Sequence, residues 1–66
     1  MKVIRMKNTA GREILINPLD VSYICADIMN PDVTQVHTHK DSFLFKLTME
    51  EACNVLGYQV SEPKEK

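Results

Sequence analysis

The stretch FLFKLTMEE, residues 43–51, predicts a β-strand that runs directly into a capped α-helix. Thr48 is a favoured N-cap residue, and Glu51, three positions later, can accept a hydrogen bond from the Thr48 backbone N–H. Leu47 occupies the position before the cap, where an apolar residue usually packs against the first helical turn. We expect the helix over residues 48–57, with Gly57 as a left-handed C-cap. Its predicted apolar stripe comprises Met49, Ala52, Cys53 and Leu56.

Upstream of this helix, turn residues divide the chain into short apolar segments. Gly11 can adopt the positive φ of a tight turn, and Pro18 interrupts a strand because it has no N–H to donate. Strands are predicted at 3–6, 13–16, 21–26, 33–39 and 43–47. The sequence therefore predicts an α+β domain over residues 1–60, followed by a disordered tail over 61–66. Its architecture is a small antiparallel sheet or partly open barrel of about five short strands, then one C-terminal helix.

Two of these strands are apolar on both sides, at residues 14–16 and 43–45. One helix covers one face of a small sheet, so the other face would expose Leu15 together with Leu44 or the neighbouring phenylalanines. An apolar patch of this kind marks an interaction site, and a chain of 66 residues is short of core. We therefore expect a homo-oligomer, with closure of the strands into a barrel as the alternative. The predicted interface residues are Leu15, Phe43, Leu44 and Phe45.

The loop at residues 27–32 contains two apolar residues, Ile28 and Met29. Loops run over the surface and are usually polar. We expect these side chains to tuck under the sheet or to contact a partner.

The charges are distributed unevenly although the formal net charge is only −1. Residues 1–12 contain four basic residues and no acid, whereas residues 13–39 contain four acids and no lysine or arginine. Such a dipolar chain can guide head-to-tail contacts or hold an anion at its basic end, and the alternative is solvated charge that protects strand edges. Nucleic acid is an unlikely partner because basic and aromatic residues do not interleave. The candidate ligand-binding residues are Arg5, Arg12, His37, His39 and Lys40.

The sequence provides little for catalysis or for a metal. Neither Cys25 nor Cys53 has a recognisable base spacing, and the two glycines form no phosphate loop. His37 and His39 alternate along a predicted strand and so share a face, but two histidines do not complete a zinc site. We therefore predict no enzyme activity, no metal and no cofactor.

The composition favours a reducing compartment. Two cysteines occur without a secretory signal, and no apolar run approaches the ~18 residues of a membrane span. A cytoplasmic protein with free thiols is expected.

Gly11 marks a turn, the apolar segment Ile14, Leu15 and Ile16 ends in Asn17, Val21 and Ile24 lie in the next predicted strand, Thr34 lies in the following one, and residues 47–51 begin the Glu-rich helix. This order of elements resembles that of the FlbD-type flagellar and swarming-motility proteins, which are short chains with a glycine turn, an apolar strand ending in Asn, an Ile-rich strand, a Thr-rich hairpin and a final Glu-rich helix. The resemblance covers roughly residues 3–57 and implies a non-enzymatic accessory protein. A second resemblance, to the strand-rich start of LytTR-type DNA-binding domains, rests on residues 20–24 and 36–38.

The combined expectation is a small, non-catalytic regulatory protein that acts as a homo-oligomer and binds a protein partner or a small anionic ligand. A phage-encoded anti-defence inhibitor, or a sponge that sequesters a nucleotide signal, is the main alternative. A flagellar accessory protein is a further alternative.

Overall fold

A computed structural model of the chain describes residues 2–63, and this part contains five strands, one 3-10 turn and one α-helix. The predicted α+β class is confirmed, and the predicted strand ends differ from the observed ones by at most two residues. In the predicted tail, residues 61–63 are exposed and have neither helix nor strand, while residues 64–66 lie outside the described residues. The elements are β1 (Ile4–Lys7), β2 (Glu13–Ile16), the 3-10 turn (Pro18–Asp20), β3 (Val21–Ala26), β4 (Thr34–Thr38), β5 (Ser42–Phe45) and α1 (Met49–Leu56).

The strands form two antiparallel sheets, a β1–β2 hairpin and a three-stranded β3–β4–β5 meander. Side chains alternate across each strand, so each sheet has an inner and an outer face. The inner faces meet with the helix in one core, which contains Met6, Ile16, Val36, Phe45 and Leu56. The backbone N–H of Thr9, in the hairpin turn, also donates to the Leu44 carbonyl at 2.9 Å. The hairpin is therefore joined to β5 by packing and by a backbone hydrogen bond.

The aromatic side chains of β5 point into this core. Phe45 is 1% exposed, and Phe43 is partly buried against the same core cluster. Leu15 and Leu44 lie on the outer faces and are 59% and 40% exposed. Of the four predicted interface residues, the leucines are therefore available on the surface, whereas Phe45 is not.

Strand β3 does not alternate in the predicted way. The sequence predicts Val21, Tyr23 and Cys25 on one face, but the pairing register shifts between Val21 and Tyr23. This bulge at Ser22 lets both Val21 and Ile24 pack against the core, while Tyr23 is 57% exposed. The prediction that Val21 shares a face with Tyr23 is wrong because an inserted residue changes the phase of the strand.

The predicted helix cap is confirmed. Glu51 N–H donates to the Thr48 hydroxyl at 3.2 Å, and Thr48 N–H donates to the Glu51 carboxylate at 2.9 Å. Gly57 ends the helix in the left-handed region at φ 81°. Ala52, Cys53 and Leu56 are buried, but Met49 is 41% exposed, so the predicted stripe is shorter than the sequence suggested. Met49 is the first helical residue, and it is not among the side chains that pack against the core.

The apolar loop after β3 also departs from one expectation. Ile28 and Met29 are 94% and 88% exposed, so they do not tuck under the sheet. Contact with a partner, the other expectation, stays a prediction.

A hydrogen bond from Tyr58 holds the segment after the helix. The Tyr58 hydroxyl donates to the carbonyl of Pro18, in the 3-10 turn. Burial of the phenol raises the pKa of Tyr58 above its ordinary value of 10.0, and the nearby Cys53 raises this pKa further. Residues 58–60 form no strand. The hydrogen bond from the Tyr58 phenol anchors this segment to the 3-10 turn.

Replacement of Phe45 by Ala should lower the free energy of unfolding by about 3–5 kcal/mol, because it removes a fully buried ring from the common core. Leu44→Ala, one residue earlier on the outer face, is the matched control and should cost less than about 1.5 kcal/mol. Urea unfolding followed by circular dichroism measures both. Equal losses in the two variants would contradict the assignment of faces.

Tyr58→Phe should lower the free energy of unfolding at neutral pH by about 1 kcal/mol, through loss of one hydrogen bond. Because the phenol ionises at higher pH in the folded state than in the unfolded chain, its contribution is complete below pH 10.0 and is lost as the pH rises above that value. The free energies of unfolding of the wild type and the variant should therefore differ at neutral pH and approach each other as the pH rises above 10.0. A constant difference across this range would contradict the pKa direction.

Candidate functional site

The structure distributes the five predicted ligand-binding residues over separate parts of the molecule. Arg5 lies on the outer side of β1, and Arg12 is exposed in the hairpin turn. His37 lies on β4, while His39 and Lys40 follow that strand in the turn to β5. His39 forms an ion pair of 2.6 Å with Asp20 when protonated, and His37 has different partners. The two histidines of the predicted pair therefore contact different residues, His39 contacting Asp20 and His37 contacting Gln35.

Arg5 belongs to a cleft of about 230 Å³ that lies between β1, the end of β5 and the helix. We call this cleft the basic groove. Three cations contribute to its lining, and the remainder is apolar. Its lining residues are Arg5, Met6, Lys7, Phe45, Lys46, Leu47 and Val55.

Local structure explains why the cations gather there. Arg5 and Lys7 alternate with the buried Met6 along β1, so both charged side chains point away from the core. Lys46 lies in the short connection between β5 and α1 and is exposed. Chain topology then brings Lys46 beside β1, because Phe45 and Met6 pack in the same core. The sequence pattern indicated Arg5 but not Lys7 or Lys46, since the proximity of these three residues depends on how the hairpin packs.

The charge of the basic groove is only weakly compensated. Arg5 Nη1 lies 3.2 Å from Glu13 Oε2, and both side chains are largely exposed, at 69% and 56%. Such a surface pair contributes at most about 1 kcal/mol, so a bound anion can replace Glu13. Within residues 2–63, Lys7 and Lys46 have no acidic partner. An ordinary structural role for exposed lysines at strand edges is to discourage pairing with other chains, and Lys7, the last residue of β1, fits this role.

A second group of side chains forms a polar cluster on the outer face of the three-stranded sheet. The Tyr23 and His37 rings stack with centroids 4.3 Å apart and an angle of 13° between their planes. The Gln35 side-chain oxygen lies 3.1 Å from His37 Nε2 and accepts from the Cys25 thiol at 3.6 Å. Gln35 in turn donates to the Asp27 carboxylate at 3.2 Å. We call this group the outer polar cluster.

The outer polar cluster places a thiol near an imidazole. Cys25 Sγ lies 4.0 Å from His37 Nε2, at the outer limit of a hydrogen bond to sulfur, and the same ring nitrogen lies closer to the Gln35 side-chain oxygen, at 3.1 Å. Among the described residues, no group of three or more His, Cys, Asp or Glu side chains could hold a metal ion. The bulge at Ser22 places Tyr23 opposite His37. This register could not be predicted from any pattern in the sequence.

A larger cleft of about 460 Å³ lies beside the 3-10 turn that precedes β3. The Asn17 side chain accepts the Leu19 N–H at 3.0 Å and stabilises this turn. Leu19 is 90% exposed at the margin, while Leu56 is buried at the base. We call this cleft the apolar groove. Its lining residues are Lys2, Asn17, Pro18, Leu19, Leu56 and Gly57.

No protein-family model, curated protein or solved structure matches this chain. The resemblance to FlbD-type proteins therefore stays a prediction. Within residues 2–63, no helix has the length and apolar character needed to cross a membrane.

The two thiols should differ in reactivity. Cys25 is partly exposed on the outer face, whereas Cys53 is only 9% exposed within the helix stripe. We expect one thiol per chain to react rapidly with a thiol reagent under native conditions and the second to react only after unfolding. Cys25→Ser should abolish the rapid phase and Cys53→Ser should leave it intact. Rapid reaction of both thiols in the folded wild type would contradict the burial of Cys53.

Proposed function

We propose that the protein is a non-catalytic binding protein that acts as a homo-oligomer and binds a small organic anion in the basic groove. The observation that carries this proposal is the convergence of Arg5, Lys7 and Lys46 around an apolar lining. Cations at the margin attract an anion, and the apolar lining adds affinity for a ligand that also has a flat or apolar body.

The size of the basic groove limits the ligand class. At about 230 Å³ it is smaller than the ~300–1,000 Å³ typical of sites for drug-sized ligands. A nucleoside monophosphate has both required parts, a phosphate for the lysines and a planar base for the accessible apolar side chains of Leu47 and Val55. Arg5 suits the phosphate because its guanidinium can donate two parallel hydrogen bonds. A sponge that sequesters a nucleotide signal would use the same chemistry.

The residues of the basic groove support binding without catalysis. Arginine and lysine are protonated at neutral pH and so cannot accept a proton from a substrate. The remaining lining side chains are apolar. A groove built in this way can hold and release a ligand, which is the activity expected of a sponge or a sensor.

Self-association is supported by the surface of the protein. Leu15 and Leu44 are exposed on the outer faces of different sheets, and a domain of this size has little core of its own. The same two leucines could contact a different protein, which is the second candidate function. A flagellar or swarming-motility partner would be one case of this second candidate.

Ligand binding can be tested by isothermal titration calorimetry with AMP, adenosine and inorganic phosphate. AMP should bind more tightly than either of its parts, because only AMP contacts both the cations and the apolar lining. Lys7→Glu and Lys46→Glu should each weaken AMP binding about tenfold, which corresponds to one charge contact of ordinary strength. Increased salt should weaken binding in the wild type.

The matched control is Lys40→Glu, which reverses a charge outside the basic groove. Its AMP affinity should equal that of the wild type. An equal loss in the control would show that affinity reflects only net charge. Absence of AMP binding at low salt would refute an anionic ligand of this class.

A further inference from the structure

The strongest unexplained feature is the tip of the β3–β4 loop. Ile28 and Met29, which we call the loop tip, expose 94% and 88% of their surface. Exposed apolar side chains on adjacent positions are costly in water and mark contact sites when they are clustered. The loop tip plays no part in the proposed ligand site.

Hydrogen bonds hold the loop in a defined shape. Asp27 N–H donates to the Val33 carbonyl at 2.9 Å, and Val33 N–H donates to the Asn30 carbonyl at 3.0 Å. The Asn30 side chain accepts the Asp32 N–H at 3.2 Å. The loop tip is therefore presented by a closed turn, and a partner that binds it does not need to order a flexible segment.

The apolar groove provides a complementary surface. It is about 460 Å³ in volume, and its apolar lining comes from Pro18, Leu19 and Leu56. Leu19 is 90% exposed at its margin, so the groove and the loop tip both leave large apolar side chains uncovered. Burial of Ile28 and Met29 against Leu19 would remove these surfaces from water together.

The charges beside the two surfaces have opposite signs. The loop tip is flanked by Asp27 and Asp32, whereas the apolar groove is lined by Lys2. Asp20, which follows the groove residue Leu19 in the chain, is already engaged by His39, with 2.6 Å between His39 Nδ1 and Asp20 Oδ1. Approach of the loop tip to the groove therefore brings opposite charges together and is favoured electrostatically.

A single molecule cannot fill its own groove. The groove residues Pro18 and Leu19 directly precede β3, and the loop tip follows its other end. The six residues of β3 span roughly 20 Å at about 3.3 Å per residue. The two surfaces thus lie at opposite ends of one strand, which is the arrangement that a head-to-tail contact between copies requires.

We infer that the occupant of the apolar groove is the loop tip of a second copy of this chain. The contact is heterologous, since different surfaces of the two copies meet, and repetition of it produces a ring or a linear assembly. This inference rests on the homo-oligomer of the proposed function and specifies which surfaces form it.

The test compares a loop variant, Ile28→Asp with Met29→Asp, and a groove variant, Leu19→Asp. All three side chains are almost fully exposed, so the fold should persist, as melting curves can verify. Light scattering of the wild type should give a mass above the 7.6 kDa monomer that rises with concentration. Each variant alone should self-associate at least about tenfold more weakly. Should Leu19→Asp unfold the protein, Lys2→Glu serves as the groove variant.

Mixing the two variants provides the decisive measurement. The loop variant retains an intact groove and the groove variant retains an intact loop tip, so an equimolar mixture should form a one-to-one heterodimer. Leu15→Asp tests the competing interface through the outer faces of the sheets, and this variant should associate like the wild type if the head-to-tail contact holds the copies together. A mixture that remains monomeric would overturn the head-to-tail contact.

Two other outcomes separate this inference from the proposed function. If the wild type associates and only Leu15→Asp disrupts it, the head-to-tail contact is overturned and the homo-oligomer stands. If the wild type remains a 7.6 kDa monomer at millimolar concentration, both the contact and the homo-oligomer are overturned. Binding of AMP to the basic groove is measured independently of either result.

Discussion

The structure depends on the burial of Phe45 where both sheets and the helix meet. Phe45 is 1% exposed, and its core neighbours come from β1, β2, β4 and α1. Its cross-strand partner Thr34 is fully buried, and the Thr34 hydroxyl donates to the Leu47 carbonyl at 2.8 Å. This hydrogen bond satisfies a buried polar group and holds the connection to the helix against β4. The ring and the hydroxyl together determine where the helix begins relative to the sheet.

The basic groove and the apolar groove both depend on this burial. Since Phe45 points inward, its neighbours Leu44 and Lys46 point outward. Lys46 then lies beside Arg5 and Lys7 and completes the basic groove, while Leu44 stays on the outer face of the meander. The apolar groove depends on the same core, because Leu56 forms part of its base. The proposed ligand site and the proposed contact between copies therefore lie on separate surfaces that share one interior.

Features that depend on neighbouring residues were predictable from the sequence. The capping box of Thr48 and Glu51 and the left-handed Gly57 involve contacts within one turn of helix. Strand positions followed from alternation and from turn residues such as Gly11, which has a φ of 83°. Features that depend on register were not predictable. The bulge at Ser22 reversed the expected phase of β3, and a single inserted residue has no local signature there.

By itself, the sequence determined the α+β class, the order of five strands and a capped helix, and the uneven distribution of charge. Hydrophobic periodicity and capping act over a few residues, so the chain alone specifies them. Only the tertiary structure decided that Phe45 is interior, that Lys7 and Lys46 join Arg5, and that Ile28 lies exposed beyond the end of β3. These outcomes depend on how the hairpin packs against the meander, and contacts between residues distant in sequence form only when the whole core is assembled.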